Sequence, residues 1–351
     1  MTSAVLQTIR LGNPPWPTVD PFLFCVHHLD HYPEADGAFG PAASLQGRDI
    51  GQDFAGKDGW RMYHGATVPG FPQHPHRGFE TVTYARQGLI DHSDSLGAAA
   101  RFGRGDVQWM TAGKGIVHSE MFPLFNETGP NPAELFQIWM NLPSSRKMVD
   151  PYFTMLWDGE IPRHRPEGEE GDGAEITVIA GALAGLEPPS APPDSWASSA
   201  ESDVAIWHLR FDADGRWTMP AAAGGTDTVR TLYVFDGGSL AIDGEVVAAG
   251  NAAVVDAAAT VELTAPDGAV EVLVLQGRPI AEPVAQYGPF VMNTQTEIEQ
   301  AFADYRRTEF GGWPWPSDAP VHGPDQARFA RHADGHTDTP PGVLVSETPQ
   351  N

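Results

Sequence analysis

Along this chain apolar residues recur at every second position far more often than at every third or fourth. Thr81-Val82-Thr83-Tyr84, Asp106-Val107-Gln108-Trp109-Met110 and Leu135-Phe136-Gln137-Ile138-Trp139-Met140 are rich in β-branched and aromatic side chains and bounded by Gly, Pro or Asn, so each is predicted to be a strand. The series continues through Ile176–Ala180, Ala205–Leu209, Arg230–Phe235, Ala252–Val255 and Val270–Leu275. Short strands at regular spacing with turn signals between them predict an all-β sandwich or barrel. One helix is expected near the end: Asn293 or Thr294 caps it, Glu297 completes a capping box, and Ile298, Ala301, Phe302 and Tyr305 form an apolar stripe that should lie on a sheet.

Turn signals repeat in the two halves. Gln87-Gly88 and Gly103-Arg104-Gly105-Asp106 are echoed by Asp236-Gly237-Gly238 and Ala249-Gly250-Asn251, which predicts two related barrels. The charged, Gly-rich stretch from Pro162 to Asp172 is the main break, dividing an N-terminal domain at 1–161 from a C-terminal one at 173–316. Glu187 to Asp194 reads as an exposed loop. Residues 317–351 read as a flexible tail that wraps the body and frays past about Asp334.

Composition narrows the class. The 351 residues include 38 glycines and 32 prolines, which fits many turns, and no apolar run approaches the roughly 18 residues of a membrane span. The start, Met1 to Pro17, has neither a basic nor an apolar leader region, so a cytoplasmic location is expected, and the lone Cys25 fits a reducing compartment. A net charge of -25 repels a phosphate backbone, which argues against direct nucleic-acid binding, and its simplest consequence is solubility. Arginine far outnumbers Lys57, Lys114 and Lys147, which reflects coding bias rather than function.

Candidate chemistry lies in His74-Pro75-His76 and His118-Ser119-Glu120. If each is a strand, alternate residues share a face, so three imidazoles and a carboxylate enter one volume. That donor set suits iron, copper, nickel, manganese or zinc better than calcium or magnesium and leaves open positions on a six-coordinate ion. Glu80, just after the first pair, is a rival carboxylate. The second half has no counterpart: Met219-Pro220-Ala221 stands where such a pair would be, and no histidine follows Gly250 before the tail.

The run Gly70-Phe71-Pro72-Gln73-His74-Pro75-His76-Arg77-Gly78-Phe79-Glu80 and the run Gly105 to Met121, with Gln286-Tyr287-Gly288-Pro289-Phe290-Val291-Met292-Asn293-Thr294, resemble the pirin family of bicupins across roughly residues 18–316. The resemblance implies two cupin barrels (double-stranded β-helices, or jelly rolls), a metal in the first and none in the second. It implies iron, as Fe2+, with other divalent transition metals as alternatives, held by His74, His76, His118 and Glu120, and so makes Glu80 structural. It also implies a monomer.

Other residues have plainer readings. His64 reads as a hydrogen-bonded core or surface residue, His27, His28 and His31 as the exposed end of a strand from Pro21 to Val26, and His322, His332 and His336 as tail residues without metal spacing. Phe79, Trp109, Met110, Phe136 and Trp139 read as barrel packing, Gly113 and Gly115 as a tight turn before His118, and Arg77 as an ion-pair partner of a carboxylate. The expected function is a quercetin 2,3-dioxygenase-like oxidoreductase: a small aromatic, flavonol-like chelator binds the iron, and Glu120 serves as both ligand and base. The alternative is a non-catalytic, metal- or redox-dependent regulatory partner of a transcription factor or metabolic enzyme. A storage cupin is a third reading.

Overall fold

The computed structural model describes residues 3–342. The chain is almost entirely β, and its residues gather into two compact units. One comprises the chain up to Val26, Ile138–Arg146 and Glu160–Glu282; the other comprises His27–Gln137, Lys147–Gly159 and the chain from Pro283. The boundary between them falls inside two long strands, Phe22–Tyr32 and Asn131–Asn141.

In the first unit the strands expected near 176, 205, 230, 252 and 270 form one large antiparallel sheet. Its longest member, Ala205–Met219, pairs with Gly171–Ala180, Val261–Thr264 and Val270–Gly277, so the sheet curls around Ile176, Trp207, Leu209, Trp217, Leu232 and Val272. The curl sets the apolar faces of these strands against one another, out of water.

In the second unit two sheets face each other across a core of Ile90, Phe102 and Ile116 from one and Ala85, Met110, Leu135 and Phe153 from the other. The first sheet runs Thr337–Asp338, Phe329–Arg331, Ala99–Gly103, Leu89–Asp94, Ile116–Met121, Gly70–His76; the second runs Tyr152–Leu156, Val107–Thr111, Phe79–Gln87, Asn131–Asn141, Phe22–Tyr32. The helix forms at Gln295–Thr308 with the expected Thr294–Glu297 capping box. Its Ile298 and Ala301, flanked by Phe302 and Tyr305, pack on Phe290, Met292 and Val117.

Each compact unit draws on several stretches of chain, so the bounds of the units are not those of the two consecutive stretches 1–161 and 173–316. Val5–Arg10 pairs with Asn251–Val255 of the later barrel, and Phe329–Arg331 pairs with Ala99–Gly103 of the earlier one. Each satisfies a sheet edge far away in sequence, which local pattern does not reveal. The tail expected at 317–351 is thus docked as far as Asp338 at least, held also by Arg101 to the Gly323 and Asp325 carbonyls and by Arg328 to Asp106 (2.8 Å); residues 343–351 lie outside the described ones. The strand expected to stop at Val26 runs on to Tyr32, leaving His31 exposed but carrying His27 and His28 partly inside.

Candidate metal centre

Both motifs fold as strands, and the strands pair antiparallel with His74 opposite His118 and Phe71 opposite Glu120. The register shifts between Phe71 and His74; this bulge turns both residues to the side that His118 and Glu120 share. Two glycines shape the turn that leads into the Ile116–Met121 strand. Gly113, at φ 48°, leaves no room for a Cβ, which would stand 2.2 Å from the Val149 carbonyl oxygen, and at Gly115 (φ 132°) a Cβ would meet the Phe310 ring at 2.6 Å.

The three imidazoles converge: ring centroids are 4.4 Å apart for His74 and His118, 4.7 Å for His74 and His76, and 4.9 Å for His76 and His118. One nitrogen from each lies within 4.8 Å of the others, the one such group of three among the described residues. Burial pushes the pKa of His74 down to about 4, and those of His76 and His118 well below the ordinary value, so all three are neutral at pH 7 and carry a lone pair. His74 Nδ1 lies 2.8 Å from the Pro72 carbonyl, which accepts its proton and leaves the lone pair on Nε2. Both ring nitrogens of His118 are buried without a hydrogen bond among the described residues. Such groups are expensive unless something binds them, and neutral imidazoles in this array match the preferences of a transition-metal ion.

Glu120 lies beside this group, its Oε2 4.0 Å from His118 Nε2. The Thr83 hydroxyl donates to Oε1 (3.1 Å) and Gln137 Nε2 to Oε2 (3.2 Å). Burial pushes the Glu120 pKa up, which equips it to take a proton. Glu80 faces elsewhere and accepts from the Thr111 hydroxyl at 2.7 Å.

His92 is the residue that sequence reading missed. It is fully buried, pairs in register with Glu120, sets its ring 5.5 Å from that of His118 at an angle of 56°, and hydrogen-bonds Asp94 Oδ2 through Nε2 at 3.1 Å. The His92-Ser93-Asp94 spacing was its available signal. The remaining histidines scatter: His64 is exposed and bonds the Gly51 carbonyl, His27 pairs with Glu134, and His322 docks on the His92 carbonyl. Arg77 makes its expected ion pair, with Asp304 at 2.9 Å. Phe79, Trp109, Met110 and Phe136 are core, whereas Trp139 is partly exposed and stacks on Phe24.

Beyond His74 the unit presents further aromatic rings. Phe71 lies 6.3 Å from His74 and 5.0 Å from Tyr63, and Phe54, about half exposed, leans on Tyr63 and His64. Among the described residues no helix is long and apolar enough to cross a membrane.

Comparison with known proteins adds the following. The family model described as Pirin matches residues 13–140, and that of the Pirin C-terminal cupin domain matches residues 206–311. A Pseudomonas aeruginosa protein named "Putative quercetin 2,3-dioxygenase" is 40% identical over 69% of this chain and 79% of its own. Human Pirin is 36% identical over 71% of this chain and 80% of its own. Among solved structures, a quercetin 2,3-dioxygenase from Acinetobacter baumannii superposes with a TM-score of 0.67 at 25% identity, covering 89% of this chain and 99% of that one.

Proposed function

The chain belongs to the pirin family, with its two cupin domains, and on that premise we propose that it is a metal-dependent dioxygenase acting on a flavonol-like, metal-chelating aromatic substrate. The observation that carries the reading is the set of three neutral, mutually close imidazoles with the Glu120 carboxylate alongside. His74, His76, His118 and Glu120 would hold the ion, Fe2+ first among divalent transition metals. When bound, it would supply Lewis acidity and one-electron chemistry toward molecular oxygen.

The chain's own residues do the rest. Glu120 takes the proton of the substrate's chelating hydroxyl, a role suited to a carboxylate whose pKa burial raises. Gln137 and Thr83 hold that carboxylate in place, and the His92–Asp94 pair packs behind His118, limiting the freedom of its ring. Similarity to proteins named as quercetin 2,3-dioxygenases supports the substrate class.

The test is metal analysis of protein purified without added metal, followed by oxygen-electrode and absorbance assays of the iron-loaded protein with a flavonol. Oxygen uptake with loss of flavonol absorbance is expected, and His118→Ala abolishes both. Chelation of the flavonol without oxygen consumption sinks the catalytic reading.

A further inference from the structure

His28 lies in this same unit but outside the metal group, and nothing above gives it work. It extends from the Phe22–Tyr32 strand beyond the length the sequence pattern predicted, and its ring lies 6.0 Å from that of Phe71 and 4.9 Å from that of Tyr63. Phe71 in turn is 6.3 Å from His74, and the bulge places it opposite Glu120. Phe71 therefore neighbours both a member of the metal group, His74, and a polar group outside it, His28.

Hydrogen-bond bookkeeping determines which face His28 offers. Asp30 accepts from Arg61 Nη1 at 3.0 Å and from the Tyr63 hydroxyl at 2.5 Å. Burial pushes the Asp30 carboxyl up, but the Tyr63 hydroxyl and the Arg61 guanidinium oppose that push and favour the acceptor form. The Tyr63 hydroxyl has one proton, which goes to Asp30, so its oxygen must accept from His28 Nδ1–H at 2.8 Å. Nε2 is then the bare, accepting nitrogen, and it has no hydrogen-bond partner among the described residues.

The support for this relay is rigid. Tyr63 has a left-handed backbone (φ 56°), a strained state for an aromatic residue. Two backbone hydrogen bonds to Asp53 hold it there, while the buried Asp53 carboxylate ties Arg48 (2.9 Å) to the Met62 N–H (3.0 Å). Strain persists only where its surroundings over-determine it, and here what they determine is the direction of one phenol and, through it, one imidazole.

We propose that His28 is a second anchoring point for substrate, its Nε2 accepting a hydrogen bond from a phenolic hydroxyl at the far end of an aromatic molecule that lies across Phe71. This rests on the dioxygenase reading for the chelating end and adds the requirement that the substrate carry a hydroxyl remote from its chelating group. A site that bonds a hydroxyl discriminates against the analogue lacking it, because an acceptor that the bound molecule covers then goes unsatisfied.

The test is anaerobic equilibrium binding to the metal-loaded protein of two probes, quercetin and 3-hydroxyflavone. Both carry the chelating hydroxy-ketone, and only quercetin has phenolic hydroxyls elsewhere. Wild type should favour quercetin. His28→Asn, which keeps a donor toward Tyr63 but has no acceptor at the Nε2 position, should lower the quercetin-to-3-hydroxyflavone affinity ratio about tenfold, the worth of one buried hydrogen bond. His28→Gln, whose carbonyl reaches toward the Nε2 position, should restore most of the ratio, and Tyr63→Phe, which frees the tautomer, should give an intermediate value. A wild-type ratio near one, or Asn and Gln variants that behave alike, overturns the proposal. Binding is read without oxygen, so a protein that never consumes oxygen refutes the catalytic reading and leaves this ratio to decide the anchor.

Discussion

Replacing His118 by leucine should make the metal-free protein more stable while removing its response to metal. Both nitrogens of this imidazole are buried without hydrogen bonds among the described residues, and its side chain is inaccessible to solvent. Each unsatisfied buried polar group costs about 1–3 kcal/mol, whereas a similar-sized apolar side chain that fits imperfectly costs about 1.5 kcal/mol or less. The net expectation for His118→Leu without metal is a gain of about 1–2 kcal/mol, or roughly 3–6 °C in Tm for a unit of this size. With metal at about 100 times its Kd, wild type gains about 2.7 kcal/mol and the variant nothing, so the order of stability reverses. Thermal unfolding of both proteins, with chelator and with added Fe2+ under anaerobic conditions, measures all four values. A metal-free variant less stable than wild type by 2 kcal/mol or more would falsify the claim that His118 is held in place at a cost for the sake of a ligand; so would equal stabilisation of both proteins by metal.

Two further outcomes follow from the same unit. Burial pushes His28 down to about 3 from an ordinary 6.5, so the folded state resists its protonation: stability from this group is level above about pH 6.5 and falls as pH drops from 6.5 toward 3, by about 2 kcal/mol at pH 5, and the difference between the urea midpoints of wild type and His28→Gln should be constant above pH 6.5 and shift against wild type below it. Gly113→Ala should destabilise by about 3 kcal/mol or more, because a Cβ would stand 2.2 Å from the Val149 carbonyl oxygen at a φ of 48°; an unchanged Tm would show that the turn before His118 relaxes freely.

The fold was legible where local composition carries it. Arg230–Phe235 and Val270–Leu275 are short runs rich in β-branched, aromatic and other apolar residues and bounded by turn signals, as buried strands are, and the structure has strands at Val229–Gly237 and Val270–Gly277. The helix was equally plain, since Thr294 and Glu297 satisfy each other's backbone donors locally and need no tertiary partner. The interleaving of units was not legible. Val5–Arg10 is a mostly exposed strand whose six residues suit any open edge, and its true partner, Asn251–Val255, lies some two-thirds of the chain away.

Within the site, the sequence by itself determined the donor types and their spacing: two histidines two apart, and a histidine two before a glutamate, share strand faces wherever the strands lie, because the pleat has a period of two. Tertiary structure decided what that spacing leaves open. Cross-strand register set His74 against His118, the bulge brought Phe71 to the side of Glu120, and the adjoining strand placed His92 behind His118. It also decided that His28, read from sequence as an exposed strand end, is turned inward and held in one tautomer by Tyr63 and Asp30. The physical reason is that periodicity is a property of one strand, fixed by its own backbone geometry, whereas register, bulges and buried hydrogen-bond chains belong to pairs of segments distant in sequence and exist only once the sheet has closed.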